Sequence, residues 1–230
     1  MIDIETLERD GSFKAYAAKP EGAPKAAIVV IQEIFGVNAG IRGKCDRWAE
    51  LGYLALAPDL FWRLEPGVEL DPDVPEEFDQ ALGLMGRFNQ DAGIRDIEAT
   101  IHEARRRLGG SGKVGAVGYC LGGRLAFMTS ARTDIDASVA YYGVGIDGLL
   151  HEKHAIARPL LLHIAGDDHF VDKATQARMH EGLDDHPRVT LHDYPGEDHG
   201  FAAEMGKRRS EEAARLADGR TEEFFARHLA

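Results

Sequence analysis

The run Ala26-Ala27-Ile28-Val29-Val30-Ile31 is apolar without alternation. A strand with one solvated face alternates apolar and polar side chains, whereas a strand covered on both faces does not, so this run predicts a buried strand of a parallel sheet. The period then changes. Ile41, Cys45, Trp48 and Leu51 recur at helical spacing up to Gly52, and Tyr53-Leu54-Ala55-Leu56-Ala57 returns to a strand pattern that Pro58 stops. Together these segments predict one β-α-β unit.

Between Phe61 and Pro75 the chain carries Pro66, Gly67, Pro72 and Pro75, a composition that predicts a surface excursion without regular structure. Helical spacing resumes with Ile94, Ile97, Ile101, Ala104 and Leu108, and Gly109-Gly110 ends it. Further strands are predicted at 113–118, 137–142, 159–165 and 189–194, with helices at 121–131 and 173–183 between them. A closing helix carries Ala213, Ala217, Thr221, Phe224 and His228 on one face. The alternation runs from end to end without a repeat or linker, so the expected architecture is a single α/β domain over residues 1–230 with a mostly parallel, doubly wound sheet. Alternating Phe13 and Ala15 predict an antiparallel edge strand near the start.

Composition narrows the function classes. The 230 residues hold 27 Lys and Arg against 39 Asp and Glu, a formal charge of -12. Nucleic-acid binding relies on clustered cations, and none occurs here. No apolar run approaches the roughly 20 residues of a membrane helix. The first residues lack the pattern of a signal peptide, and two cysteines cannot make a disulfide framework, so a reducing, cytoplasmic setting is expected. The composition is compatible with a monomer or a small homo-oligomer.

The chemistry begins at Gly118-Tyr119-Cys120-Leu121-Gly122-Gly123, between a strand and a helix. This is the pattern glycine-x-nucleophile-x-glycine with cysteine in the central place. The turn strains the central residue, and the glycines remove Cβ atoms that would clash as the chain reverses. The helix N-terminus beyond it favours a thiolate and offers N–H groups to an oxyanion. Cys45 shares a helical face with Ile41 and Trp48, which predicts a core residue. A thiol nucleophile needs a base and a group to orient that base. His199, after the last strand, is placed to be the base, and one of Asp167 or Asp168, after the strand at 159–165, to orient it. His169, beside the acid, is expected to be structural, with substrate binding as the alternative, and His102 is expected to face solvent. A metal site from His163, His169 and His199 is disfavoured because no i, i+4 histidine pair exists.

Four segments make the chain resemble the dienelactone hydrolase family of α/β hydrolases. They are Gln32-Glu33-Ile34-Phe35-Gly36-Val37-Asn38, the Cys120 turn, Asp167-Asp168-His169-Phe170-Val171 and His199-Gly200-Phe201. Ala57-Pro58-Asp59-Leu60 and Tyr141-Tyr142-Gly143-Val144-Gly145 extend the similarity. The resemblance implies a Cys120-Asp168-His199 triad, a thiol-activating role for Glu33, and hydrolysis of a small lactone or ester through a thioester with no cofactor or metal. Backbone N–H groups of Leu121 and Ile34 would form the oxyanion hole, with Phe35, Phe78, Tyr141 and Phe201 as candidate substrate contacts. It also implies two arginines that hold a substrate carboxylate, but Phe78 and Ala203 occupy those positions. Arg63, Arg87 and Arg208 are the remaining cations considered for that task. Without such an arginine, a carboxylesterase or thioesterase of neutral acyl groups is the alternative, and a thiol redox sensor or non-catalytic binder the third reading.

Overall fold

A computed structural model describes residues Met1–Ala230. The central sheet has eight strands: β1 (Ile2–Glu5), β2 (Ser12–Ala18), β3 (Ala27–Ile31), β4 (Leu54–Pro58), β5 (Val114–Tyr119), β6 (Ala137–Tyr141), β7 (Leu160–Ala165) and β8 (Val189–Tyr194). Their spatial order is β1-β2-β4-β3-β5-β6-β7-β8. The first two strands run antiparallel to their neighbours and all later pairs are parallel. The expected edge strand at Phe13 is therefore β2, and Ile2–Glu5 adds a further strand outside it.

Every residue of β3 is fully enclosed, and its side chains divide by parity. Ala27, Val29 and Ile31 enter one core with Ile97 and Ile101, whereas Ile28 and Val30 enter the other with Ile41, Cys45 and Trp48. Helices α1 (Ala39–Glu50) and α6 (Glu211–His228) cover the second face, while α3 (Gln90–Arg107), α4 (Leu121–Arg132) and α5 (Lys173–Leu183) cover the first. With apolar area on both faces removed from water, an unalternating strand is the stable solution. His102 is exposed on α3, as the stripe requires.

The excursion after β4 is pinned rather than loose. Asp59 accepts the N–H groups of Phe61 and Gly67 at 3.1 and 2.8 Å, Arg63 pairs with buried Asp96, and Leu60, Phe61, Val68 and Leu70 are buried. It leads into α2 (Pro75–Arg87), a helix absent from the sequence expectation. Pro75 at its first turn with Glu76 and Glu77 is favourable start chemistry. Of its 13 residues only Ala81 and Leu84 are buried; Phe78 packs partly against the core, and Leu82 and Met85 meet a cleft.

Candidate active site

Cys120 lies between β5 and α4 with φ 57° and ψ -116°, a backbone state that costs a non-glycine residue about 1–3 kcal/mol. The neighbours enforce it. A Cβ on Gly118 would sit 1.9 Å from the carbonyl oxygen of Gly122, and one on Gly122 would sit 2.3 Å from that of Ile31. Either side chain would push α4 away from the strands that aim Cys120. The sulfur thereby stands at the first turn of α4, partly exposed, while Cys45 is fully buried and burial holds its thiol protonated.

Two loops bring the partners. Asp168 follows β7 and His199 follows β8, and His199 Nδ1 bonds Asp168 Oδ2 at 2.8 Å with both side chains almost fully enclosed. Asp168 Oδ1 accepts the N–H of Phe170 at 2.8 Å, so both carboxylate oxygens are engaged. Asp167 instead faces Lys173 at 2.9 Å on the surface. A second carboxylate joins the loops: Asp198 Oδ1 accepts the N–H of His199 at 2.7 Å, the N–H of His169 at 3.0 Å and His169 Nδ1 at 2.7 Å. His169 thus braces the acid loop against the histidine loop. The donors of Asp168, His169 and Asp198 lie close enough to suit a metal ion, but hydrogen bonds already occupy the oxygens that face inward. His163 is not among them, and its two ring nitrogens are held by Tyr194 and Thr221.

His199 Nε2 is buried without a hydrogen-bond partner. Burial pulls the imidazole toward neutrality, but the Cys120 charge beside it and the Asp168 hydrogen bond outweigh that effect and push its pKa up to about 10. Nε2 and the sulfur do not meet in hydrogen-bond geometry, and the Cys120 charge is the largest of the effects that raise the histidine. Glu33 enters the same space after β3, and burial raises its pKa against the opposing pull of His199 and Arg208. Its carboxylate makes no hydrogen bond to Cys120 in this resting geometry. Tyr142 has φ 37°, packs edge-on to His199 with centroids 5.1 Å apart, and leaves its buried hydroxyl unpartnered. The N–H groups of Leu121 and Ile34 enter no turn, loop or cap hydrogen bond.

Glu33, Ile34, Cys120, Leu121 and His199 line a cavity of 370 Å³ with nine hydrophobic residues among its 15. Its walls include Phe35 and Phe78, whose rings are 5.8 Å apart, together with Leu82, Met85, Val144 and Phe170. A cysteine at a strained strand-to-helix turn, with an aspartate and a histidine on two later strand-end loops, has the chain order of an α/β hydrolase site. The model of the dienelactone hydrolase family matches residues 13–229. The chain belongs to the dienelactone hydrolase family. A relative from Azospirillum brasilense, provisionally named a carboxymethylenebutenolidase, is 48% identical over 222 residues, covering 96% of this chain and 95% of its own. The carboxymethylenebutenolidase of Pseudomonas putida is 40% identical over 224 residues, covering 97% and 95%. A crystal structure from Klebsiella pneumoniae subsp. pneumoniae, provisionally named a dienelactone hydrolase, aligns with TM-score 0.84 at 28% identity and covers 98% of this chain and 97% of that one.

Against that family pattern, two sequence expectations about substrate contacts need correction. Tyr141 is fully buried on the α6 side, where its hydroxyl meets Asp218 at 3.0 Å and Thr221 at 2.6 Å. Phe201 is likewise enclosed between Tyr142 and Tyr194 and supports the site from behind. The missing arginines have a different outcome. Arg63 is committed to Asp96 and Arg87 to its own helix, but Arg208 lines the cavity with its guanidinium 5.9 Å from the Phe78 centroid. Arg124 lines it too, donating Nε to Gln90 at 2.8 Å and Nη1 to the carbonyl of Gly145. Neither guanidinium has a carboxylate partner. Sequence reading missed Arg124, although its place four residues after Cys120 on one helix face was an available signal.

Proposed function

We propose that this protein hydrolyses a carboxylate-bearing lactone of the carboxymethylenebutenolide kind, with Cys120 as nucleophile, His199 as acid and base, and Asp168 as its orienting group. The observation that carries the reading is the unpartnered Nε2 of His199 beside Cys120, with Nδ1 fixed by Asp168. The Cys120 thiolate attacks the lactone carbonyl, forming the S–C bond while the N–H groups of Leu121 and Ile34 receive the oxyanion. Collapse breaks the ring C–O bond, and Nε2–H gives its proton to the departing oxygen, which stays tethered to the acyl group. Acylation also removes the thiolate charge that raised the histidine pKa. The imidazole is then free to take a proton from water as the water attacks the thioester, and Cys120 leaves as thiolate. Glu33, whose pKa burial raises, is the nearby carboxyl suited to exchange a proton with the Cys120 sulfur.

Charge distribution supports an anionic substrate. The chain carries -12 overall, yet the cavity holds two arginines, Arg124 and Arg208, beside the Cys120–His199 pair and a single carboxyl group, Glu33, so the local field favours an anion where the global field opposes it. Both arginines reach the cavity from positions other than the two that the family resemblance had implied. The test compares hydrolysis of a carboxymethylenebutenolide with that of an uncharged aryl ester in wild type and in Arg124→Gln and Arg208→Gln. The proposal expects each variant to raise KM for the anionic lactone at least tenfold and to leave the neutral ester within a few-fold. Equal effects on both substrates would contradict it.

A further inference from the structure

The mouth of the cavity is apolar where ordinary protein surface is polar. The chain has five exposed large hydrophobic side chains, and three of them, Leu82, Met85 and Phe170, at 39%, 40% and 45% exposure, stand on this one rim. Two lie on α2, where Phe78, Leu82 and Met85 follow at intervals of four and three and so form one stripe. Phe170 comes from the Asp168 loop and presents its ring edge-on to His199 with centroids 4.9 Å apart. Single exposed apolar residues need no explanation, but their convergence on one opening does. The core does not account for Leu82 and Met85, because α2 is anchored through Ala81 and Leu84 on the adjoining face and Phe78 is only half-buried. A cavity of 370 Å³ is moreover of the size that takes drug-sized ligands, beyond the needs of a five-membered ring alone.

We infer that the substrate carries an apolar arm, which leaves the reacting centre along the Phe78–Leu82–Met85 face of α2 and packs against Phe170. This deepens the hydrolase reading and rests on it. The ligand class is an amphipathic ester or lactone: the reacting carbonyl lies at Cys120, an anionic group meets Arg124 or Arg208, and an alkyl or aryl extension lies across the rim. The extension removes apolar surface of both partners from water, which a short polar lactone leaves exposed. The added binding therefore scales with arm length until the rim is covered.

A series of p-nitrophenyl acetate, butyrate, hexanoate and octanoate tests the arm separately from the anion site. The expected result is a rise in kcat/KM of about threefold per methylene through hexanoate. In Leu82→Ser/Met85→Ser the ratio of octanoate to acetate kcat/KM falls about tenfold, a ratio that does not depend on how much of the sample is folded. Cys120-dependent turnover of acetate with a flat or falling series would overturn the arm and leave the hydrolase reading standing. An unchanged ratio in the double variant would also overturn it. Failure of Cys120 to support turnover of any ester would instead remove the hydrolase reading on which the arm rests.

Discussion

His163 and His199 are equally buried, each 1% exposed, and each closes a hydrogen bond to a neighbouring strand or loop. Their chemistry is opposite. His163 spends both nitrogens, Nδ1 on Tyr194 at 2.7 Å and Nε2 on Thr221 at 2.9 Å, and desolvation, aided by His192 and Arg220, drives its pKa well below the ordinary value. His199 spends one nitrogen on a carboxylate and leaves the other facing Cys120, and its pKa rises to about 10. Burial alone neutralises an imidazole. A buried carboxylate on one side and a developing thiolate on the other reverse that outcome, and the unused nitrogen is where chemistry can occur.

Replacing each histidine separates the two roles most sharply. His199→Gln is expected to lower kcat/KM by about 10⁴-fold or more while the protein still folds, measured by steady-state hydrolysis and circular dichroism. His163→Leu should do the reverse. It leaves turnover per folded molecule within a few-fold but costs about 2 kcal/mol in denaturant unfolding, because Tyr194 and Thr221 lose a buried partner. Comparable activity losses in the two variants would erase the distinction drawn here.

Removing the carboxylate from the His199 side is the next largest effect. Asp168→Asn keeps a hydrogen-bonding side chain of the same shape but favours the wrong tautomer, and a loss of about 10³- to 10⁴-fold in kcat is expected. Asp198→Asn is milder, at about tenfold in kcat with little change in KM, because it loosens the brace between the loops without touching substrate. Asp167→Asn, on the surface of the same loop, serves as the neutral control.

The smallest effect is a shift in titration, read by NMR of the imidazole carbons. His199 in the resting enzyme should remain protonated through neutral pH and lose its proton toward pH 10. In Cys120→Ala the first of the charges that raise it is gone, so its titration moves to lower pH. His163 should stay neutral over the same range in both proteins. A His199 titration unaffected by Cys120→Ala would remove the electrostatic coupling.

This contrast was only half legible in the sequence. The parallel strands were readable because burial on both faces suppresses alternation, and the Cys120 turn was readable because its glycines are demanded by contacts of 1.9 and 2.3 Å. The order of an acid and then His199 followed from strand-end loops, whereas the choice of Asp168 over Asp167 rested on the family resemblance. The satisfied state of His163 was not readable, since its partners Tyr194 and Thr221 come from 31 and 58 residues away. Helix α2 escaped notice because only two of its residues pack inward, so its apolar stripe serves a cavity rather than a core. Arg208 was visible only as a cation nine places beyond His199, and the intervening loop brings it back over Phe78.

The central claim is that the cysteine with the unpartnered histidine beside it carries the acyl group. Rapid acid quench of wild-type enzyme turning over a carboxymethylenebutenolide, followed by intact-mass and peptide mass spectrometry, measures it directly. The account predicts a transient adduct with the mass of the whole lactone, since ring opening releases no fragment, located on the Cys120 peptide and absent from Cys120→Ala. Sustained turnover by Cys120→Ala, or an adduct on another residue, would contradict it.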